Sequence, residues 1–278
     1  NEGGAVGCYN ALDLVDVTQI LGLVGLVSVG KLVEELGRAD FAEGALLGDG
    51  FVVVGKLLDD SHLEELIEEY DRIFAEARET QKLRNLSATD GQATDGDGEE
   101  MLQIMQMCER SLSFRRLLYH EPILDIAEDL IGPNIQLFHD QALFKPAHHG
   151  GPIHPHQDNA YWRCLPANLV SCWLTLDDVD VDNGAMHLLP GSHLAAMGHE
   201  RGDVLLDAGT PDPAESRVVP LPAGGALFHH CQTLHFTPPN RTDRQRRAFA
   251  IHFMTPGTRS PRGELPIGFS RPLLRGHM

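Results

Sequence analysis

The 278 residues suffice for one large domain, and at 42 % hydrophobic and 22 % charged they have an ordinary globular composition with apolar material for a core. A formal net charge of −18 argues against nucleic-acid binding, because phosphate contacts need a basic surface. Five scattered cysteines (Cys8, Cys108, Cys164, Cys172, Cys231) without a CxxC pair read as reduced thiols in a cytoplasmic protein, not as a disulfide framework.

In chain order, residues 1–37 read as an N-terminal packing segment. Its apolar stretch VTQILGLVGLVSVG (17–30) is too short to span a bilayer. Asp13 and Asp16 precede it where a signal peptide would carry basic residues. Residues 38–278 then form a single domain, helical over 58–132 and β over about 133–256. GDGFVVVGKLLDDSHLEELIEEYDRIFAEA (48–77) predicts a short strand and a helix capped by Asp60 or Ser61. Leu63, Leu66, Ile67, Tyr70 and Ile73 form its buried stripe. LSATDGQATDGDGEE (86–100) is a polar loop, mobile and placed to serve as a lid; its aspartates lack calcium-loop register. Helices are expected at roughly 101–118 and 121–131.

From residue 135 the texture changes to short alternating or β-branched runs: IQLFHDQALFK, NLVSCWLTLDDV, AMHLLPGSH, RVVPLPAGGALFHH and RRAFAIHFM. Gly, Pro and Asn separate them, as in an antiparallel sandwich or barrel. DNGAM predicts a tight hairpin at Asn183-Gly184. Eight arginines between 241 and 275 suggest either a basic pocket for an anionic small molecule or a solvated surface.

The chemistry centres on HPHQDNAYW (154–162). In a strand, His156 and Asp158 would face the same way and aim an imidazole and a carboxylate at one point. Two histidines and a carboxylate with open positions opposite suit non-haem Fe(II). The stretch LFHHCQTLHFTPPN (227–240) offers a third ligand. His235 stands out from His229 and His230 because Arg246 follows eleven positions later, at the start of RRAFAIHF. Alternation there puts Arg246, Ala248, Ala250 and His252 on one face, an arginine beside small residues that leave room for a carboxylate. Thr237 shares the face of His235.

Together, HQDNAYW, NGAMHLLPGSH and TLHFTPPNRTDRQRRAFAIHF resemble the phytanoyl-CoA dioxygenase-like family of Fe(II)/2-oxoglutarate oxygenases. The DGFVVVGKLLDD opening is similar too, so the resemblance covers roughly 40–256. It implies a double-stranded β-helix (a cupin-like jelly roll) with His156, Asp158 and His235 as iron ligands. It also implies that Arg246 and Thr237 hold the distal carboxylate of 2-oxoglutarate, with O2 as oxidant and succinate and CO2 as products. The strand FHDQALFKP matches a family strand lining the cavity, which makes Gln141 and Lys145 polar contacts for cosubstrate or substrate. Trp173 lies near a family position beside 2-oxoglutarate. Because Asp158 is kept, hydroxylation of a small organic substrate is favoured over halogenation, with desaturation or ring closure left open. The rival readings are a β-barrel metalloenzyme that does not use 2-oxoglutarate and a non-catalytic binding module. His148, His149 and His154 read as loop residues, His187, His193 and His252 as structural ones, Tyr161 and Trp162 as core or substrate shelf, and PGSH (190–193) as a turn.

Overall fold

Asp59 closes the first β-branched run and opens the first long helix. Its carboxylate accepts the His62 backbone N–H, so the cap is Asp59, one or two positions before the expected Asp60 or Ser61. The structure is a computed structural model that describes residues 46–94, 98–202, 205–209, 211, 212, 214–260 and 271–277; the 1–37 segment, with its apolar stretch 17–30, lies outside them. Strand β1 (Phe51–Lys56) and helix α1 (Asp60–Glu79) match the sequence pattern. Leu63, Leu66, Tyr70, Ile73, Phe74 and Ala77 of α1 are buried, while Ile67 lies half-buried at the stripe's edge.

The stretch 101–118 is not one helix. A two-residue strand β2 (Arg84–Asn85) pairs with β3 (Leu102–Met105), and β3 pairs with the long strand β4 (Ile135–Lys145). A 3-10 turn at Met107–Glu109 and the short helix α2 (Leu112–Leu117) follow. Leu102 and Ile104 repeat with period two and both are buried, so an available partner strand overrides the helix reading. Helix α3 (Glu121–Ile131) begins with Pro122 in its first turn and has the expected bounds. The expected loop is partly anchored. Glu100, 4 % exposed, accepts from the Thr94 backbone and hydroxyl and from Arg78.

After β4 come β5 (Ile153–His156), the one-turn helix α4 (Asp158–Trp162), β6 (Val170–Thr175) and β7 (Met186–Leu188). A small pair, β8 (Glu200–Arg201) and β9 (Leu206–Asp207), precedes β10 (Arg217–Val219) and β11 (Gly225–His230). Strands β12 (His235–Thr237), β13 (Arg246–Met254) and β14 (Leu273–Arg275) end the series. The larger sheet runs β1-β11-β6-β13-β4-β3-β2 with β14 beside β4; the smaller runs β10-β7-β12-β5. Two antiparallel sheets with these crossovers make a double-stranded β-helix. Asn183-Gly184 does not close a hairpin, because β6 and β7 lie in different sheets. The Asn183 side chain instead accepts the Asp180 N–H and donates to the Asp178 carbonyl, shaping a turn that crosses between sheets.

Strand β13 is buried along its whole length and sorts its side chains by parity. Phe249, Ile251 and Phe253 pack with α1, α2 and α3, whereas Ala248 and Ala250 face the smaller sheet with Trp173, Met186, Leu188 and Leu227. The helices therefore cover one face of the large sheet and leave the other for a cavity. Among the described residues no helix is long and apolar enough to cross a membrane. Phe114 carries the helix-to-sheet contact, fully buried with its ring 4.8 Å from that of Phe249. Phe114→Ala is expected to cost about 3–5 kcal/mol by chemical denaturation.

Candidate active site

A cavity of about 430 Å3 opens between the two sheets. Strands β5 and β12 pair so that His156 lies directly opposite His235, and their rings sit 4.3 Å apart. Asp158 reaches them by a different route from the expected one. It is the first residue of α4 and not an i+2 strand position, since the chain leaves β5 at Gln157. The Asp158 Oδ1 is 3.6 Å from His156 Nε2 and 3.8 Å from His235 Nε2. One ligand atom from each of the three residues lies within 4.8 Å of the others.

The donor set is already prepared for a cation. His156 Nδ1 bonds to the His154 carbonyl at 2.8 Å and His235 Nδ1 to the Thr233 carbonyl at 2.9 Å. Each Nδ1 must carry its proton to do so, which turns both Nε2 atoms, the ones a metal would use, toward the carboxylate. Burial, reinforced by His156 and His229, pushes His235 well below the usual histidine range. Burial would raise Asp158, but the surrounding histidines, His235 first and then His156, outweigh it and hold the carboxyl well below the usual range. A neutral His235 beside an ionised Asp158 suits a divalent metal, which binds the deprotonated forms.

Beside this centre is a second group of buried polar atoms without partners. Arg246, 1 % exposed, lines the cavity and donates Nη1 to the Leu143 carbonyl, but among the described residues its Nε has no partner and Nη2 meets only the Met101 sulfur. Burial lowers its pKa to about 10, so it remains cationic at neutral pH. The Thr237 hydroxyl, also on the cavity wall, has no partner among the described residues either. Such groups are costly to bury alone, and an acidic ligand with several acceptors would satisfy them. The Trp173 ring underlies the Arg246 guanidinium at 5.8 Å, as a cation–π support.

The remaining expected residues divide. Gln141 lines the cavity, where its amide bridges Gln103 and His252. Lys145 does not line it. Fully buried, it donates to the Thr237 and Pro238 carbonyls, and burial followed by the Arg246 charge drives it well below its usual range. His229 and His252 both line the cavity, although neither belongs to the three-residue cluster. His187 stacks on Phe236 and His193 bonds to the Leu47 carbonyl, both structural roles. Tyr161 and Trp162 line the cavity mouth.

Sequence reasoning passed over Gln157. Its amide nitrogen reaches the carbonyls of Ser192, Ala195 and Gln232, and its oxygen accepts the Met197 N–H. It thus pins the turn between two ligands to the PGSH segment. A glutamine between His and Asp in HQD was the available signal.

The family model described as phytanoyl-CoA dioxygenase matches residues 46–248. The chain belongs to this family. A probable alpha-ketoglutarate-dependent hypophosphite dioxygenase of Stutzerimonas stutzeri is 30 % identical over 152 residues, covering 49 % of this chain and 51 % of that protein. The peroxisomal phytanoyl-CoA dioxygenase of Mus musculus is 28 % identical over 221 residues, covering 74 % and 65 %. The matches therefore span about half to two thirds of the length of these relatives. Among solved structures, the non-heme alpha ketoglutarate dependent epimerase SnoN superposes with a TM-score of 0.69 at 25 % identity over 86 % of this chain and 99 % of its own. SnoN has also been solved in complex with Fe3+, alpha ketoglutarate and nogalamycin RO, with a TM-score of 0.69, 26 % identity and the same coverage.

Replacing Gln157 by alanine leaves four backbone groups short of a partner. We expect Gln157→Ala to lose at least about 2 kcal/mol of stability by denaturation and about tenfold in Co(II) affinity by titration.

Proposed function

We propose that the chain is an Fe(II)- and 2-oxoglutarate-dependent dioxygenase that oxidises a small organic substrate. The observation that carries this is the convergence of His156, Asp158 and His235 next to a buried, cationic Arg246 with no carboxylate bonded to it among the described residues. In this reading His156 Nε2, Asp158 Oδ1 and His235 Nε2 hold ferrous iron. The chemistry supplied when iron and cosubstrate are bound is oxidative decarboxylation of 2-oxoglutarate by O2 to succinate and CO2, coupled to oxidation of the substrate. Arg246 clamps the distal carboxylate of 2-oxoglutarate, Thr237 donates its hydroxyl to it, and Trp173 keeps the guanidinium in place. Ala248 and Ala250 leave volume beside the clamp. The metalloenzyme that ignores 2-oxoglutarate would leave Arg246 Nε and Thr237 Oγ1 buried without purpose, and a binding module would not need three convergent ligands. The intact Asp158 favours hydroxylation over halogenation. The SnoN complex, which holds Fe3+ and alpha ketoglutarate in a similar fold, supports the cofactor assignment.

The substrate end of the cavity bears on specificity. Within the arginine-rich C-terminal stretch Arg246 faces the cavity, whereas Arg241, Arg244, Arg247 and Arg275 are paired with Glu99, Asp180, Asp177 and Asp125. Arg84 on β2 does line the cavity and makes no ion pair with a described residue. We read it as the partner of an acidic group on the substrate. The four described cysteines are buried and free.

Anaerobic protein loaded with Fe(II) and 2-oxoglutarate should form succinate on admission of O2. Asp158→Ala should abolish this and weaken metal binding, because the site loses its only anionic ligand; unchanged turnover would show the ligand set to be wrong. Arg246→Lys should raise the KM for 2-oxoglutarate at least about tenfold, since an ammonium cannot make the paired contact. Arg84→Gln should raise the KM of acidic substrates about tenfold and leave that of 2-oxoglutarate unmoved; equal effects on neutral substrates would exclude the anion role.

A further inference from the structure

A line of side chains crosses the large sheet from the cavity wall to the second oxygen of Asp158, taking one residue from each of four neighbouring strands. Gln103 on β3 donates Nε2 to Gln141 Oε1 on β4 at 2.5 Å. Gln141 Nε2 lies 3.0 Å from His252 Nε2 on β13. His252 Nδ1 is 2.7 Å from Ser171 Oγ on β6, its direct cross-strand partner. Ser171 Oγ then donates to Asp158 Oδ2 at 3.1 Å.

The direction of every bond follows from the carboxylate. An ionised Asp158 has no proton to give, so the Ser171 hydroxyl must donate to it. The same hydroxyl oxygen therefore accepts from His252 Nδ1–H. A neutral imidazole has one N–H, and burial keeps His252 well below its usual pKa, so its Nε2 is an acceptor and takes the Gln141 amide N–H. The Gln141 oxygen is left to receive Gln103. No link is frustrated, and Ser171 and His252 are both buried. The two Asp158 oxygens are thus separated by role: Oδ1 faces His156 and His235, and Oδ2 is held by Ser171.

We propose that Ser171, His252 and Gln141 are positioning residues that hold Asp158 as a one-oxygen ligand, keeping the opposite side of the metal site open. Without Ser171 the carboxylate can rotate and present both oxygens, which would occupy a position the cosubstrate or oxidant needs. The inference rests on the metal reading of His156, Asp158 and His235, and the experiment separates the two.

Metal affinity is measured by anaerobic titration of Fe(II) or Co(II) into wild type and variants, and the His252 tautomer by long-range 1H–15N NMR of the metal-free protein. We expect His252 to carry its proton on Nδ1. Ser171→Ala should change metal affinity about 10- to 100-fold, whereas Ser171→Thr, which keeps the hydroxyl, should stay within about threefold of wild type. Gln141→Leu should mix the His252 tautomers. A wild-type His252 protonated on Nε2 overturns the proposal even if Ser171→Ala fails to fold. If Asp158→Ala loses metal while Ser171→Ala binds as wild type, the relay is wrong and the metal centre stands. If Asp158→Ala also binds as wild type, both are wrong.

Discussion

The antiparallel pairing of β5 with β12, which sets His156 opposite His235, is the contact on which the proposed metal centre depends. Both strands are short, four and three residues, so the pairing alone supplies few backbone bonds. A slip of one residue would turn His235 to the other face and replace it with Leu234 or Phe236. The register is guarded from both sides. β12 lies between β5 and β7, with His235 also opposite Leu188, and the Gln157 amide ties the end of β5 to the segments before β8 and β12. The third ligand then needs no strand at all. Once Gln157 is fixed, the chain turns into α4 and delivers Asp158 as its first residue.

Burial around this centre has a cost that the free protein bears. A carboxylate on one side and a guanidinium on the other are withdrawn from water without a mutual ion pair, which opposes folding. The opposing cost is offset by the other face of the same sheet. There Phe249, Ile251, Phe253, Leu174 and Phe228 join Tyr70, Phe74 and Phe114 in one apolar layer. Arg247, neighbour to Arg246 but pointing the opposite way, is neutralised by Asp177 and Asp71 and clamps α1 against the sheet. Adjacent arginines on one strand thus serve opposite ends. The outward one finds anions within the chain, and in the proposed reading the inward one takes a ligand that would relieve its desolvation and so stabilise the native state on binding.

The parts legible in sequence were those written in period. The alternation of β13 gave both its faces correctly, and β4, α1 and α3 were bounded within a residue or two because their patterns are long. The approximate location of His156, Asp158 and His235 was readable for the same reason that the motif exists: few other positions combine a carboxylate, imidazoles and a downstream arginine. What was not legible depended on partners. Leu102 and Ile104 are equally compatible with a helix or a strand until β4 is available to pair with them. Asn183-Gly184 has hairpin chemistry, yet its strands belong to different sheets. Lys145 alternates onto the same strand face as Gln141, but it lies at the end of β4 where the Thr237 and Pro238 carbonyls cover it. Ser171 carried no signal, since its place beside His252 is set by register between strands some eighty residues apart.

These limits coincide with the part of the cavity wall that we propose contacts the substrate. In the proposed reading the iron and cosubstrate residues sit on β5, α4, β12 and β13, of which β12 and β13 have a paired strand on each side. The wall facing the open end is built from β2 and β3, which add to the edge of the large sheet beyond β4 and carry Arg84, Gln103 and Met105. An edge has neighbours on one side only, so substitutions there disturb less of the core and change the cavity directly. In the proposed reading, the chemistry and the recognition of substrate fall on different strands, so the cavity's margin can change without moving the ligands. In this chain the margin presents a cation and an amide above a mainly apolar floor.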